Sequence, residues 1–261
     1  MTRWRLLDTG ARDGAWNMAC DVALMARARR TGESVFRVYA WALPTVSFGR
    51  HEAARRHYDA DAITAAGVDL VRRPTGGRAL LHHREVTYSI TAPVVPGESL
   101  AASVRRFNQL LLDALHALGV DAREAGASRA MRPEGAACFA VPSSGELTLE
   151  GRKLVGSAQV RQDGALLQHG SILLDDDQGR IAGFAAGAYL PPAPAAALRE
   201  KLGAKAAYEP VRDALLRTVA AASGAGSAEE LVLSPDETIG GSPEFDDALL
   251  QFRDAAWTWR R

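Results

Sequence analysis

The dipeptide Asp163-Gly164 constrains this chain more than any other feature. Asp-Gly favours the tight turn whose two central residues both take positive φ, the geometry that matches the twist of an antiparallel hairpin. It joins Val160-Arg161 to the apolar run Leu166–Leu174, and just upstream Leu147–Glu150 and Lys153–Ala158 flank Gly151. The middle of the chain is therefore β-rich, and the fold cannot be a helical bundle. Ahead of it, strand compositions at Trp4–Leu7, Ser34–Trp41, Val68–Arg72, Ala79–Leu81 and Val86–Thr91 are interspersed with helical spacing at Asp13–Arg30, Tyr58–Ala66 and Glu98–Leu118. Thr45–Phe48 is expected to be the hairpin partner of Ser34–Trp41 across Leu43-Pro44. Leu190-Pro191-Pro192-Ala193-Pro194 is the best boundary candidate. Beyond it the chain reads as helical over Ala195–Leu202, Val211–Ala222 and Phe245–Trp259. The expected class is α+β, with a principal domain over residues 1–188 and a helical C-terminal extension over 189–261.

Composition narrows the function classes. The chain has 261 residues, 31 basic and 31 acidic, so its net charge is zero. A non-specific nucleic-acid binder would carry a basic excess. Two cysteines, Cys20 and Cys138, do not make a disulfide scaffold. No stretch approaches the apolar length of a membrane span, and the N-terminus does not look like a signal peptide. A reduced, cytoplasmic protein is expected, with no nucleic-acid or membrane partner. Lysine occurs only at positions 153, 201 and 205. A lone ammonium in the middle of an arginine-rich chain draws attention, because its compact charge does what a guanidinium fork cannot.

Three segments carry candidate chemistry. In Arg72-Arg73-Pro74-Thr75-Gly76-Gly77-Arg78-Ala79, bare backbone at the glycine pair lets a ligand approach, and the arginines beside it suit a phosphate or carbonyl oxygen. A tight turn with solvated arginines would look the same. Gly145–Lys153 resembles a P-loop only superficially: the glycine spacing is too long, Leu154 stands where a hydroxyl is needed, and the segment is strand-turn-strand. A lone cysteine is more often a small buried hydrophobe than a nucleophile; Cys20, inside an amphipathic helix, fits that role well, and Cys138, at a loop-to-strand transition, fits it less well. No spacing of His, Cys or carboxylates suggests a metal site, and the adjacent His82 and His83 would point to opposite faces of a strand.

Taken together, five segments resemble the lipoate-protein ligase and octanoyltransferase superfamily, whose fold is shared with biotin protein ligases. They are Asn17-Met18-Ala19-Cys20-Asp21, Phe36–Tyr39 with Pro44–Gly49, Arg72–His82, Gly151–Gln159 and Leu167–Leu174. Finer features look like the octanoyltransferase branch of Gram-positive type, called LipM. Arg78 replaces a ligase glycine, Glu85-Val86-Thr87-Tyr88-Ser89 follows, and Cys138-Phe139-Ala140-Val141-Pro142-Ser143 resembles that branch's acyl-accepting segment. Two departures are Val22, where the family has Glu, and Gly145, where an aromatic precedes Glu146.

The resemblance implies a mixed sheet flanked by helices, and transfer of octanoate from octanoyl-acyl carrier protein to a lysine of a lipoyl domain or the glycine cleavage H protein. Cys138 would form the acyl-enzyme and Lys153 would stabilise the oxyanion, with no cofactor and no metal. Substrate would be bound by Arg72, Arg73, Thr75, Gly76, Gly77, Arg78, His82, Gly156, Ser157, Ala158, His169 and Gly170. His82 and His169 are both candidates for a general base. The competing readings are an ATP-dependent lipoate ligase, an amidotransferase between lipoyl proteins, and a non-catalytic lipoyl-domain binder. A pure binder would need neither Cys138 nor Lys153.

Overall fold

The computed structural model describes residues 3–126, 145–187, 193–225 and 228–260. Seven strands form the main sheet: β1 (Trp4–Arg12), β2 (Ser34–Trp41), β6 (Glu85–Pro93), β7 (Arg123–Glu124), β8 (Leu147–Leu149), β9 (Arg152–Gln162) and β10 (Ala165–Leu173). Their spatial order is β1-β2-β6-β10-β9-β8-β7, parallel only between β1 and β2. A second sheet, ordered β4-β3-β5, holds β3 (Thr45–Phe48), β4 (Asp69–Arg72) and β5 (Leu80–His82). The described helices are α1 (Gly14–Thr31), α2 (Ala54–His57), α3 (Ala60–Ala65), α4 (Leu100–Ala117), α5 (Arg199–Leu202), α6 (Tyr208–Ser223), α7 (Pro235–Ile239), α8 (Pro243–Arg253) and α9 (Ala255–Thr258). The class is α+β, as the sequence led us to expect.

Local chemistry accounts for the element ends. Asp13 accepts the Trp16 N–H at 2.7 Å to open α1, and Gly32 closes it in the left-handed conformation. Ser99 caps α4 in the same way. The turn between β9 and β10 has Asp163 at φ 51° and Gly164 at φ 80°, as the hairpin signal requires; Glu150-Gly151 repeats this between β8 and β9.

The two faces of the main sheet differ. On one, Phe36, Val38, Val86, Tyr88, Ile90 and Ile172 pack against Phe107 and Leu111 of α4 and Val211 and Leu215 of α6. This is the main apolar core. The other face carries a buried polar band, flanked by Leu7, Val35 and Leu167 under α1. Arg37, Ser89 and His169 lie in cross-strand register, as do Tyr39, Thr87 and Ser171. α1 and the small sheet cover that face, and the functional site lies between them.

Two expectations are corrected. Thr45–Phe48 is not the hairpin partner of β2: both edges of β2 are occupied by β1 and β6, so the chain crosses to the second layer and pairs with β4 and β5. Ala195–Leu198 is not helical. The Ala196 and Leu198 N–H groups bond to the carbonyls of Lys153 and Leu173, which fixes this run along the strand ends, and the helix starts at Arg199. The later helices pack into the same body: α6 lies on α4 and β1, and α8 lies on α1. Leu233 N–H bonds to Leu6 O beyond the outer edge of β1.

Candidate active site

A cavity opens where the polar sheet face meets α1 and the small sheet. Its wall includes Met18, Tyr39, Trp41, Ser47, Arg73, Leu80, His82, Thr87, Gly156, Ser157, Ala158, His169, Gly170 and Ser171. Seven of the expected substrate-binding residues are in this wall: Arg73, His82, Gly156, Ser157, Ala158, His169 and Gly170. Gly170 has a steric reason to be glycine. A Cβ there would lie 2.4 Å from Gly156 O, 2.8 Å from Ser157 Oγ and 2.9 Å from the Tyr88 ring.

Two imidazoles in the wall are each held between a carboxylate and a hydroxyl. His169 Nδ1 is 3.0 Å from Asp21 Oδ2, and its Nε2 is 2.7 Å from Thr75 Oγ1. Asp21 also meets Arg37 Nη1 at 2.8 Å, with both side chains fully buried. Burial pushes the Asp21 carboxyl up, but the His169 hydrogen bond and the Arg37 guanidinium outweigh it and hold the group below the usual carboxylate value. Burial lowers the His169 pKa in spite of Asp21. The imidazole is therefore neutral, donating from Nδ1 to Asp21 and accepting from Thr75 at Nε2.

The second array is Ser47–His82–Glu85. His82 Nε2 is 2.8 Å from Ser47 Oγ and Nδ1 is 2.7 Å from Glu85 Oε1. Arg73 Nη1 donates to Ser47 Oγ at 3.0 Å, so the serine proton is free to point at Nε2. Thr87 and Ser171 both donate to Glu85 Oε1 at 2.7 Å, and Trp41 stacks on the His82 ring at 4.0 Å. Each ring is held in one orientation by its carboxylate.

The remaining expected residues have other surroundings. Arg72 is fully buried and donates to the carbonyls of Gly49, Glu52 and Thr258, away from the cavity wall. Gly76 offers its carbonyl to Arg73. Gly77, at φ 98°, brings its own carbonyl onto Gly49, where an added Cβ would sit 1.8 Å away. The glycine pair thus lets two loops of the protein meet. Arg78 is exposed, with its carbonyl bonded to Arg73. Lys153 is buried outside the cavity wall, its Nζ 2.6 Å from Glu146 Oε1. Cys138 lies outside the described residues. Cys20 is buried against Leu7 and Leu24, and burial pushes its thiol up to about 12, so it is an inert thiol.

Sequence reasoning did not assign roles to Asp21, Arg37, Ser47, Glu85 or Glu146. Asp21 and Glu85 stood in quoted motifs, and an acidic residue in a buried segment is the signal that points to a partnered charge.

Comparison with known proteins agrees with this geometry. Residues 13–220 match the family model of the lipoyl protein ligase A/B catalytic domain, and the chain belongs to that family. Within it the chain is of the LipM octanoyltransferase type. It is 48% identical over 187 residues to octanoyltransferase LipM of Kyrpidia tusciae, covering 68% of each chain. It is 46% identical over 184 residues to octanoyltransferase LipM of Symbiobacterium thermophilum, covering 67% of each. Among solved structures, lipoate-protein ligase A bound with ATP superposes with a TM-score of 0.75 at 19% identity, covering 99% of this chain and 98% of that one. A bipartite lipoate protein ligase from Thermoplasma acidophilum gives 0.72 at 18%, with 99% and 97% covered. These last two are likenesses of fold.

Proposed function

We propose that this chain transfers octanoate from octanoyl-acyl carrier protein to a lysine of a lipoyl domain or glycine cleavage H protein, through a thioester on Cys138. The observation that carries this reading is the cavity itself, walled by Met18, Leu80, Gly156, Ala158 and Gly170 alongside its polar groups. An unbranched acyl chain suits a wall of such small and apolar groups. The relatives named octanoyltransferase supply the reaction type.

The Cys138 thiolate attacks the donor carbonyl, a C–S bond forms, and the carrier thiol leaves with a proton. Thioester exchange is near neutral, so the intermediate accumulates; attack by the acceptor amine then gives an amide and returns the thiol. Lys153, buried and oriented by Glu146, is the compact cation we assign to the developing oxyanion. His82 and the neutral His169 are each hydrogen-bonded at both ring nitrogens, so their role in this reading is to shape the pocket and satisfy its polar wall.

Intact mass after incubation with octanoyl-acyl carrier protein, without ATP and with EDTA, tests this. One octanoyl adduct is expected, mapped to Cys138 and absent from Cys20. An undiminished thioester in Cys138→Ser, or modification of a lipoyl domain only with free octanoate, ATP and magnesium, would overturn it.

A further inference from the structure

The chain has equal numbers of acidic and basic residues, so a run of uncompensated arginines calls for a cause. Arg50, Arg55, Arg56 and Arg78 form such a run, none of them ion-paired with a described residue. His51 and His57 stand exposed among them. The acidic groups nearby are engaged elsewhere or few. Glu52 turns inward to the N–H groups of Gly49 and Ala79, and Asp59 and Asp254 cap α3 and α9. Asp61 alone is exposed in the first turn of α3.

This strip is continuous with the cavity. Arg50 N–H bonds to Thr75 O, and Thr75 holds His169 in the cavity wall. The carbonyl of Arg78 accepts from Arg73 Nη2 at 2.7 Å. Arg73 lines the cavity, is 5% exposed, and spends its donors on the carbonyls of Ser47, Gly76 and Arg78 and on Ser47 Oγ, with no carboxylate among them. Among the described residues none of these guanidiniums forms an ion pair, although the Glu52 carboxylate lies within the strip, and cations held this way are costly for the fold unless an anion uses them.

We propose that this strip is the docking face for the acyl donor, receiving the phosphodiester of the carrier's prosthetic arm and an acidic carrier surface. The inference rests on the transferase reading above. Electrostatics distinguishes donor from acceptor. The donor presents its acyl group on an arm that carries a phosphate, whereas the acceptor presents an ammonium, which a row of guanidiniums repels. The acceptor approaches from another side.

The test is Arg50→Glu combined with Arg56→Glu in the full chain, since Arg56 is exposed and Arg50, half-buried, donates to the Gln162 side chain at 3.4 Å and to no carboxylate among the described residues. Binding of fluorescently labelled holo-acyl carrier protein, which needs no turnover, is measured by anisotropy at low and moderate salt, with a lipoyl domain titrated in parallel. Affinity for the carrier is expected to fall about tenfold or more and to lose most of its salt dependence, with lipoyl-domain affinity within about twofold. Acylation by octanoyl-pantetheine, which has neither phosphate nor protein, is expected to stay at the wild-type rate. Unchanged carrier affinity, no carrier binding by the wild type, or a larger loss for the lipoyl domain would overturn the assignment. Failure of the wild type to be acylated by octanoyl-pantetheine counts against the transferase reading instead, while the binding arm still reads the docking face.

Discussion

Each imidazole in the cavity wall is bonded to a carboxylate, and for His169 burial outweighs the pull of Asp21, which leaves a pH signature. Its folded pKa lies below the ordinary value of 6.5, so below that pH the unfolded chain takes up a proton that the native ring refuses. Its contribution is complete above the unfolded value and is lost as pH falls below it. The Asp21 carboxyl is shifted down from 3.8, so its contribution persists until pH drops below that value. Thermal stability is expected to decline as pH falls below about 6.5, and the decline is expected to be shallower in His169→Asn, which keeps a donor for Asp21 but does not titrate. Equal slopes in the two proteins would show that His169 does not carry the effect. At Lys153 the test is size as well as charge. A guanidinium in this buried place beside Glu146 cannot reproduce a point donor, so Lys153→Arg is expected to slow acylation by about 10²–10³-fold in single-turnover measurements. Near wild-type rates would remove Lys153 from the mechanism.

At the scale of elements, the site depends on how closely β9 and β6 approach β10 at Gly170. Gly170→Ala puts a methyl 2.4 Å from Gly156 O, which is backbone on one neighbouring strand, and 2.9 Å from the Tyr88 ring on the other. Neither strand can yield alone, because β10 is paired along its length on both edges. Urea unfolding is expected to show a loss of about 1–3 kcal/mol, together with loss of acyl-enzyme by intact mass. A variant that keeps both stability and acylation would mean that the close approach at Gly170 is not needed for the site. The small sheet has a comparable dependence on bare backbone, since the loop after β4 rests on Gly49 through the Gly77 carbonyl.

At the scale of the whole molecule, the C-terminal helix is tied to the small sheet. Arg72 in β4 donates to Thr258 O, Trp257 Nε1 donates to Arg72 O, and Trp259 packs on Phe48 at 5.2 Å. Ending the chain after residue 253 would strip α9 and leave a buried guanidinium short of an acceptor, a loss of about 1–3 kcal/mol before any packing is counted. A melting temperature lower by about 5 °C or more is expected by scanning calorimetry. An unchanged transition would show that these contacts do not contribute. Among the described residues, no helix is long and apolar enough to cross a membrane.

Much of this was legible in the sequence wherever the signal was local. Asp163-Gly164 determined a hairpin because two adjacent residues must take positive φ, and Asp13, Gly32 and Ser99 marked helix ends because a cap needs only one side chain and a few N–H groups. The motif residues His82, His169, Gly156 and Gly170 could be named for the same reason, each standing in a short contiguous segment. What only the tertiary structure decided involves residues far apart in the chain. Thr45–Phe48 was a strand by composition, but its partners followed from β2 having both edges filled by β1 and β6. Arg72 and Arg73 are neighbours with the same side chain, yet one braces the C-terminal helix and the other lines the cavity, because alternate residues of an extended chain face opposite ways. The pairing of Asp21 with His169 joins a helix to a strand 148 positions away, and only the packing of α1 on the polar sheet face brings the carboxylate to the ring.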